Sequence, residues 1–405
     1  MEKLAINGGK PVRTKPFPAQ YIGANLIGKE EKELVDKVID AKSLFRFYGS
    51  NCLNMTEQLE DELKKFLGVK YTLATSCGTG ALFCGMKGLN IGNGDEVILP
   101  AFGWLSDYSA IALSGATPVF ADIDESMNIN PEDFKAMITV RTKAVIVIHY
   151  QGAASRVDEI IEIARSRKIK VIEDVAQAIG GEYEGRPLGS FGDFSIFSFQ
   201  NNKVITTGDG GAFATNDQEI FERAVRFHDL GMIRPCFLKK LEKEAITEPF
   251  PGIQWRMNEL TGAVALAQLR KLPGIIKETK AKSSKLKALL AKELPGKKYR
   301  DVKPENDIGI LVSIDLGSKD AVDKFKAAYQ AEGLVFGPTS GCGVMGAFVA
   351  INKDLNCKKA YHEKDFETTR KIADKMAPIA ILPVYDDNDI RDIAKGIIKV
   401  IRGIS

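Results

Sequence analysis

Between residues 70 and 215 the chain alternates short, nearly unbroken apolar runs with longer stretches whose apolar positions recur every three or four residues. The runs at 71–75, 96–100, 117–123, 140–148, 168–172 and 194–199 lack the in-and-out alternation of a half-exposed strand. They read as parallel strands buried on both faces. The intervening stretches carry helical periodicity, so the expected architecture is α/β: a mainly parallel sheet with helices on both sides. Upstream, residues 29–41 place Leu34, Val38 and Ile39 on one helical face, and 56–66 fits a second helix capped by Asn54 or Thr56. The aromatics Phe45, Phe47 and Tyr48 lie between them, either packed on one another or facing a pocket. Downstream, 258–272 predicts an apolar helix ending before Pro273, and 275–293 a lysine-rich amphipathic one. A strand at 309–316 and helices at 319–332 and 387–401 suggest a smaller α+β unit.

Length sharpens this plan. At 405 residues the chain exceeds what one hydrophobic core usually serves. We expect an N-terminal arm over 1–24, a large domain over 25–272 and a small C-terminal domain over 273–405. The arm carries Gly-Gly and several prolines and reads as extended chain lying on a surface. Lysine and arginine number 56 and the acids 53, a net charge of +3 with the signs interspersed. That gives no footprint for nucleic acid and points to a small-molecule partner. The six cysteines show no C-x-x-C spacing and the N-terminus lacks an apolar leader core, which predicts a reduced, cytoplasmic protein. The least polar stretch, 108–121, is too short to span a bilayer, so no membrane segment is expected. His149, His228 and His362 are far apart, so no metal site is expected either.

Candidate chemistry concentrates in residues 171–211. Glu173 and Asp174 follow an apolar run abruptly, as at the C-terminal edge of a buried strand, and Lys203 sits in the polar loop after the run 194–199. A carboxylate for a pyridinium nitrogen and an amine for a Schiff base are the pair that pyridoxal phosphate requires. Taken singly, each residue also fits an ordinary role, the acid as a helix cap and the lysine as a solvated side chain. Residues 71–82 read as a strand, a Ser-Cys-Gly-Thr-Gly turn and a helix start, which offers backbone N–H groups to an anion or serves as a plain turn. Trp104 follows another strand end, placed to stack on a flat ring or to fill the core. His149, at a third strand end, is read as supporting the site, not acting in it.

Three segments in order, EDVAQAIGGEYEGRPLGSFGDFSIFSF, NKVITTGDGGAFATND and RMNELTGAVALAQL, resemble the DegT/StrS-type family of PLP-dependent sugar aminotransferases, with the likeness running from about residue 28 to 272 and more loosely to the C-terminus. The resemblance implies fold type I, with a mixed seven-stranded sheet, and pyridoxal 5'-phosphate as cofactor. It implies Lys203 as the Schiff-base lysine and Asp174 as the partner of the ring nitrogen. Gly78, Thr79 and Ser198 would hold the phosphate, with Cys77 where the family has serine. Gln177 would meet the ring oxygen, and Trp104 the ring face. Gln254 replaces a family asparagine that reaches the partner subunit's phosphate site, so a homodimer with shared sites is implied. Arg256 matches as an ion-pair partner. The implied reaction moves an amino group from glutamate or glutamine to a keto-sugar, commonly nucleotide-linked, or to a cyclitol or sugar acid. A sugar dehydratase of the same family would have lost the lysine, and a regulatory protein would keep the cofactor without turnover. A dinucleotide oxidoreductase needs G-x-G-x-x-G, which CGTGAL does not supply. The glycine-rich segment 337–352 matches nothing in the family and reads as a substrate-specific loop.

Overall fold

The computed structural model describes residues 2–337, 343–345 and 361–404. The apolar runs form one seven-stranded sheet: β1 (Tyr71–Thr75), β2 (Glu96–Pro100), β3 (Thr117–Ala121), β4 (Thr142–Ile148), β5 (Lys170–Asp174), β6 (Phe194–Ser198) and β7 (Gly211–Thr215). Their order across the sheet is β1-β7-β6-β5-β4-β2-β3. Strands β2 to β6 pair in parallel, and β7 is antiparallel to both its neighbours, β1 and β6. Six strands therefore point the same way and end on one edge.

The unbroken apolar runs are explained by the two faces. Along β4, Ala144, Ile146 and Ile148 enter one core, while Val145 and Val147 enter the other. Strand side chains alternate, so a run of five apolar residues supplies both cores at once. The first core is closed by α3 (Gly78–Gly88), α4 (Leu105–Leu113) and α7 (Gln218–His228). The second lies under α5 (Pro131–Met137) and α6 (Val157–Ser166). Caps fix the helix starts: the Asp217 carboxylate accepts the Ile220 N–H at the head of α7.

Helices α1 (Lys29–Ala41) and α2 (Met55–Leu67) pack on α9 (Glu259–Glu293), which follows the short α8 (Pro235–Leu238). The buried Glu259 carboxylate accepts the Met55 and Thr56 N–H groups, tying the start of α2 to α9. Contrary to the expectation of a break before Pro273, α9 is one helix of 35 residues with that proline inside it. Proline deprives the Leu269 carbonyl of its usual donor. Continuous packing of Leu266, Leu269, Leu272 and Ile275 into one apolar cluster holds the helix together across the defect.

The C-terminal part adds an antiparallel pair, β8 (Leu311–Asp315) and β9 (Met376–Ala380), together with α10 (Lys319–Ala331), α11 (Glu367–Asp374) and α12 (Asp387–Ile404). The arm is bound more firmly than a draped segment. Buried Arg13 pairs with Asp389 at 2.8 Å and Asp392 at 2.9 Å, and Glu332 accepts the Ala5 and Val12 N–H groups. Phe45, Phe47 and Tyr48 pack edge to face on one another. Most of the glycine-rich segment 337–352 lies outside the described residues; Gly343–Val344 pairs with Phe102–Gly103, just before Trp104. Among the described residues no helix is long and apolar enough to cross a membrane.

Candidate active site

At the common C-terminal edge of the sheet lies a cleft of about 240 Å³. The turn after β1 forms one wall. Cys77 caps α3, its Sγ accepting the Gly80 N–H at 3.2 Å, so the backbone N–H groups of Gly78 and Thr79 face the cleft unclaimed by the helix. Gly78 is a steric requirement. A Cβ there would stand 2.9 Å from the Ser198 Cβ, and a Cβ on Gly211 would stand 2.5 Å from the Gly78 nitrogen. The two glycines let the helix terminus and the Ser198 hydroxyl approach the same point. Amides, a helix dipole and hydroxyls converge there, an arrangement that can take an anion of phosphate size. The turn is held from outside, since Ser76 N–H donates to the Trp255 carbonyl at 2.7 Å.

Strand alternation separates the two adjacent acids of β5. Glu173 turns away from the cleft and accepts N–H groups from Gly189, Phe191 and Gly192 at 2.7–2.8 Å. Its fourth partner is His149, whose Nε2 lies 3.2 Å away while Nδ1 accepts the Ser155 N–H. Both residues are fully buried, so His149 orients the strand-end loops and has no place in the cleft. Asp174 turns the other way. Its Oδ1 accepts the Ala176 N–H at 2.8 Å, and the carboxylate borders the cleft. Gln177 stands beside it with Oε1 accepting the Gln151 N–H at 3.2 Å.

Lys203 is presented by the loop between β6 and β7. Phe199 N–H donates to the Gly210 carbonyl and Thr207 N–H to the Phe199 carbonyl, which closes the loop, and Gly208 has the left-handed φ of 84° that the turn needs. The Gly23 N–H binds the Lys203 carbonyl, so the arm clamps this loop. Trp104 caps α4 and leaves 48% of its surface exposed on the cleft wall, a ring platform and not a core residue. Gln254 is the predicted site residue that the structure does not bring in: it is exposed, bridged to Asp229, and outside the cleft of its own chain. Arg256 pairs with the buried Asp229.

Sequence reasoning overlooked three contributors. Gln20 and Ile22 of the arm line the cleft, which nothing in a Pro-rich arm foreshadows. Asp107, in the first turn of α4, is fully buried beside Asp174. Burial first, and then the charge of Asp174, push its carboxyl well above the ordinary aspartate range, while Lys203 pulls it the other way. Its signal was a lone acid opening the least polar stretch of the chain.

Known proteins carry the same arrangement of elements. Residues 25–398 match the DegT/DnrJ/EryC1/StrS aminotransferase family. The chain is 36% identical over 253 residues to GDP-perosamine synthase of Escherichia coli O157:H7, covering 62% of this chain and 66% of that protein, just under two thirds of its length. It is 33% identical over 346 residues to the putative L-glutamine:3-amino-2,3-dideoxy-scyllo-inosose aminotransferase of Micromonospora echinospora, covering 83% and 79%. The crystal structure of the aminotransferase TlmJ from Streptoalloteichus hindustanus superposes with a TM-score of 0.81 over 96% of this chain and 99% of that one, at 23% identity, a likeness of fold. With a match across nearly its whole length and the fold of such enzymes, the chain belongs to the DegT/DnrJ/EryC1/StrS family and is an aminotransferase.

Proposed function

We propose that the chain transfers the amino group of glutamate or glutamine to the ketone of a sugar, as a cytoplasmic homodimer using pyridoxal phosphate. The observation that carries this reading is the meeting of an amine, a carboxylate and an anion cradle at one sheet edge, with Lys203, Asp174 and the Gly78–Ser198 approach all bordering one cleft. The residues fit the cofactor group by group. Gly78, Thr79 and Ser198 would hold its phosphate, Asp174 its ring nitrogen, Gln177 its ring oxygen and Trp104 its face, with Lys203 as the amine that carries it. When bound, pyridoxal phosphate supplies an electron sink for the carbanion formed at the donor's α-carbon.

The chain's own groups do the rest. Asp174 would keep a proton on the ring nitrogen, because a carboxylate beside a protonated ring is the favourable charge pair. Lys203 Nζ would take the proton from the donor's α-carbon, so that one residue would serve as anchor and base. The glycine-rich segment after residue 337, of which Gly343–Val344 pairs with the strand before Trp104, would select the ketone. The names of the relatives support a sugar nucleotide or a cyclitol as that ketone. Gln254, unused in its own chain, would reach the neighbouring subunit's phosphate cradle.

Borohydride treatment of the purified, yellow protein followed by peptide mass spectrometry tests the anchor: the pyridoxyl mass belongs on Lys203, and its appearance on another lysine would remove the assignment. Lys203→Ala should still bind cofactor through the phosphate cradle yet lose amino transfer by about 10²–10⁴-fold through the base role alone. A panel of keto-sugars offered to the aminated enzyme, read by return of the visible band, identifies the substrate.

A further inference from the structure

Asp107 is a buried ionisable group beside Asp174 that the reaction above does not use. It lies on the face of the sheet that also carries Asp174, because α4 packs there through Tyr108, Ala110 and Ile111. Its side chain is fully buried, and beyond the backbone N–H of Asp107 itself no described residue donates a hydrogen bond to its carboxylate oxygens. The two aspartates are within hydrogen-bonding reach of each other. Two carboxylates in that position would set acceptor against acceptor and two negative charges together in a buried space, which is unfavourable. One proton between them turns the same contact into a charge-assisted hydrogen bond.

The geometry also says which acid carries the proton. Asp174 already accepts the Ala176 N–H and borders the cleft, so it has a partner from another residue and an opening that Asp107 lacks. Asp107 has only its own backbone N–H and no exposure to solvent. The other ionisable group acting on Asp107 is Lys203, from the loop after β6, and it acts through space without an ion pair. We propose that Asp107 is a neutral carboxylic acid donating its O–H to Asp174, a positioning residue that holds the carboxylate facing the ring nitrogen and keeps the pair at a single negative charge. This rests on the reading of Asp174 as the ring-nitrogen partner, although the proton on Asp107 does not.

Two measurements on the cofactor-free protein test the proton. At neutral pH the infrared spectrum should contain the carbonyl stretch of a protonated, isotope-shiftable aspartic acid, absent in Asp107→Asn and present in Asp174→Asn. Absence from the wild type would overturn the proposal and leave the role of Asp174 standing; loss only in Asp174→Asn would overturn both. Stability against pH gives the second reading. A carboxyl protonated in the folded state and ionised in the unfolded one above about pH 4 makes stability fall as pH rises, until the folded group itself ionises. The wild type should therefore lose ground to Asp107→Asn by up to about tenfold in unfolding constant per pH unit in that window. Parallel curves would refute the buried proton.

Positioning is tested by comparing two variants in the holoenzyme. Asp107→Leu, which removes the donor, should slow amino transfer roughly tenfold or more, whereas Asp107→Asn keeps a neutral donor of the same shape and should recover most of the loss. Equal impairment in both would show that Asp107 only fills space.

Discussion

One missing methyl group at position 78 decides whether the head of α3 and the Ser198 hydroxyl can face the same ligand. Gly78→Ala would drive a Cβ to 2.9 Å from the Ser198 Cβ, and something must shift. We expect a stability loss of about 1–3 kcal/mol from overpacking, together with weaker cofactor binding by equilibrium dialysis. Unchanged affinity would remove Gly78 from the cradle. At the same scale, the pair Glu173 and Asp174 shows chemistry assigned by direction. Identical charges on adjacent residues end as a buried clamp and a cleft carboxylate because strand neighbours face opposite ways.

Among the elements, α9 carries a defect that its packing overrides. Pro273 is exposed and interior to the helix, so Pro273→Ala should restore a donor to the Leu269 carbonyl and raise stability by about 1–3 kcal/mol in denaturant titration. A fall in stability would mean that the helix depends on the proline's geometry. A second element-scale device joins the loop before α2 to the sheet. Glu60 on α2 accepts from Arg46 at 2.6 Å, from the Ala74 N–H of β1 at 2.8 Å and from Lys240 at 3.1 Å. Burial alone would push its carboxyl up, but Arg46, Lys240 and the amide outweigh it and hold it below the usual range. A depressed carboxyl adds stability above its unfolded value, about 4.3, and that stability drains as pH falls through the folded value. Glu60→Ala should cost about 3–5 kcal/mol at neutral pH, because Arg46 stays buried and unpaired, and should flatten the acid limb of the stability curve. A neutral-pH loss under 1 kcal/mol would show that water replaces the carboxylate.

For the whole molecule, the question is where Gln254 goes. It sits outside its own cleft, on the segment that holds the turn after β1 from behind. If it completes a neighbour's cradle, Lys203→Ala and Gln254→Asp should each be inactive alone and regain activity when mixed. Each hybrid dimer then holds one site with an intact lysine and an intact glutamine. A dimer by sedimentation that gives no complementation would remove Gln254 from the site, and a fully active monomer would remove the shared site altogether.

Local pattern determined much of this protein. Unbroken apolar runs specified a sheet buried on both faces, several element bounds follow from periodicity and caps, and the Asp174 and Lys203 motifs named the family before any contact was known. Those features are written in neighbours along the chain, where a strand or helix period can express them. Tertiary structure decided what depends on partners distant in sequence. It carried α9 through Pro273 by burying one face against residues hundreds of positions apart, reversed β7 within an otherwise parallel sheet, and brought Gln20 and Ile22 of the arm to the cleft. It also set Asp107 against Asp174, 67 positions along, where burial and a like charge, neither visible in sequence, change what an aspartate is.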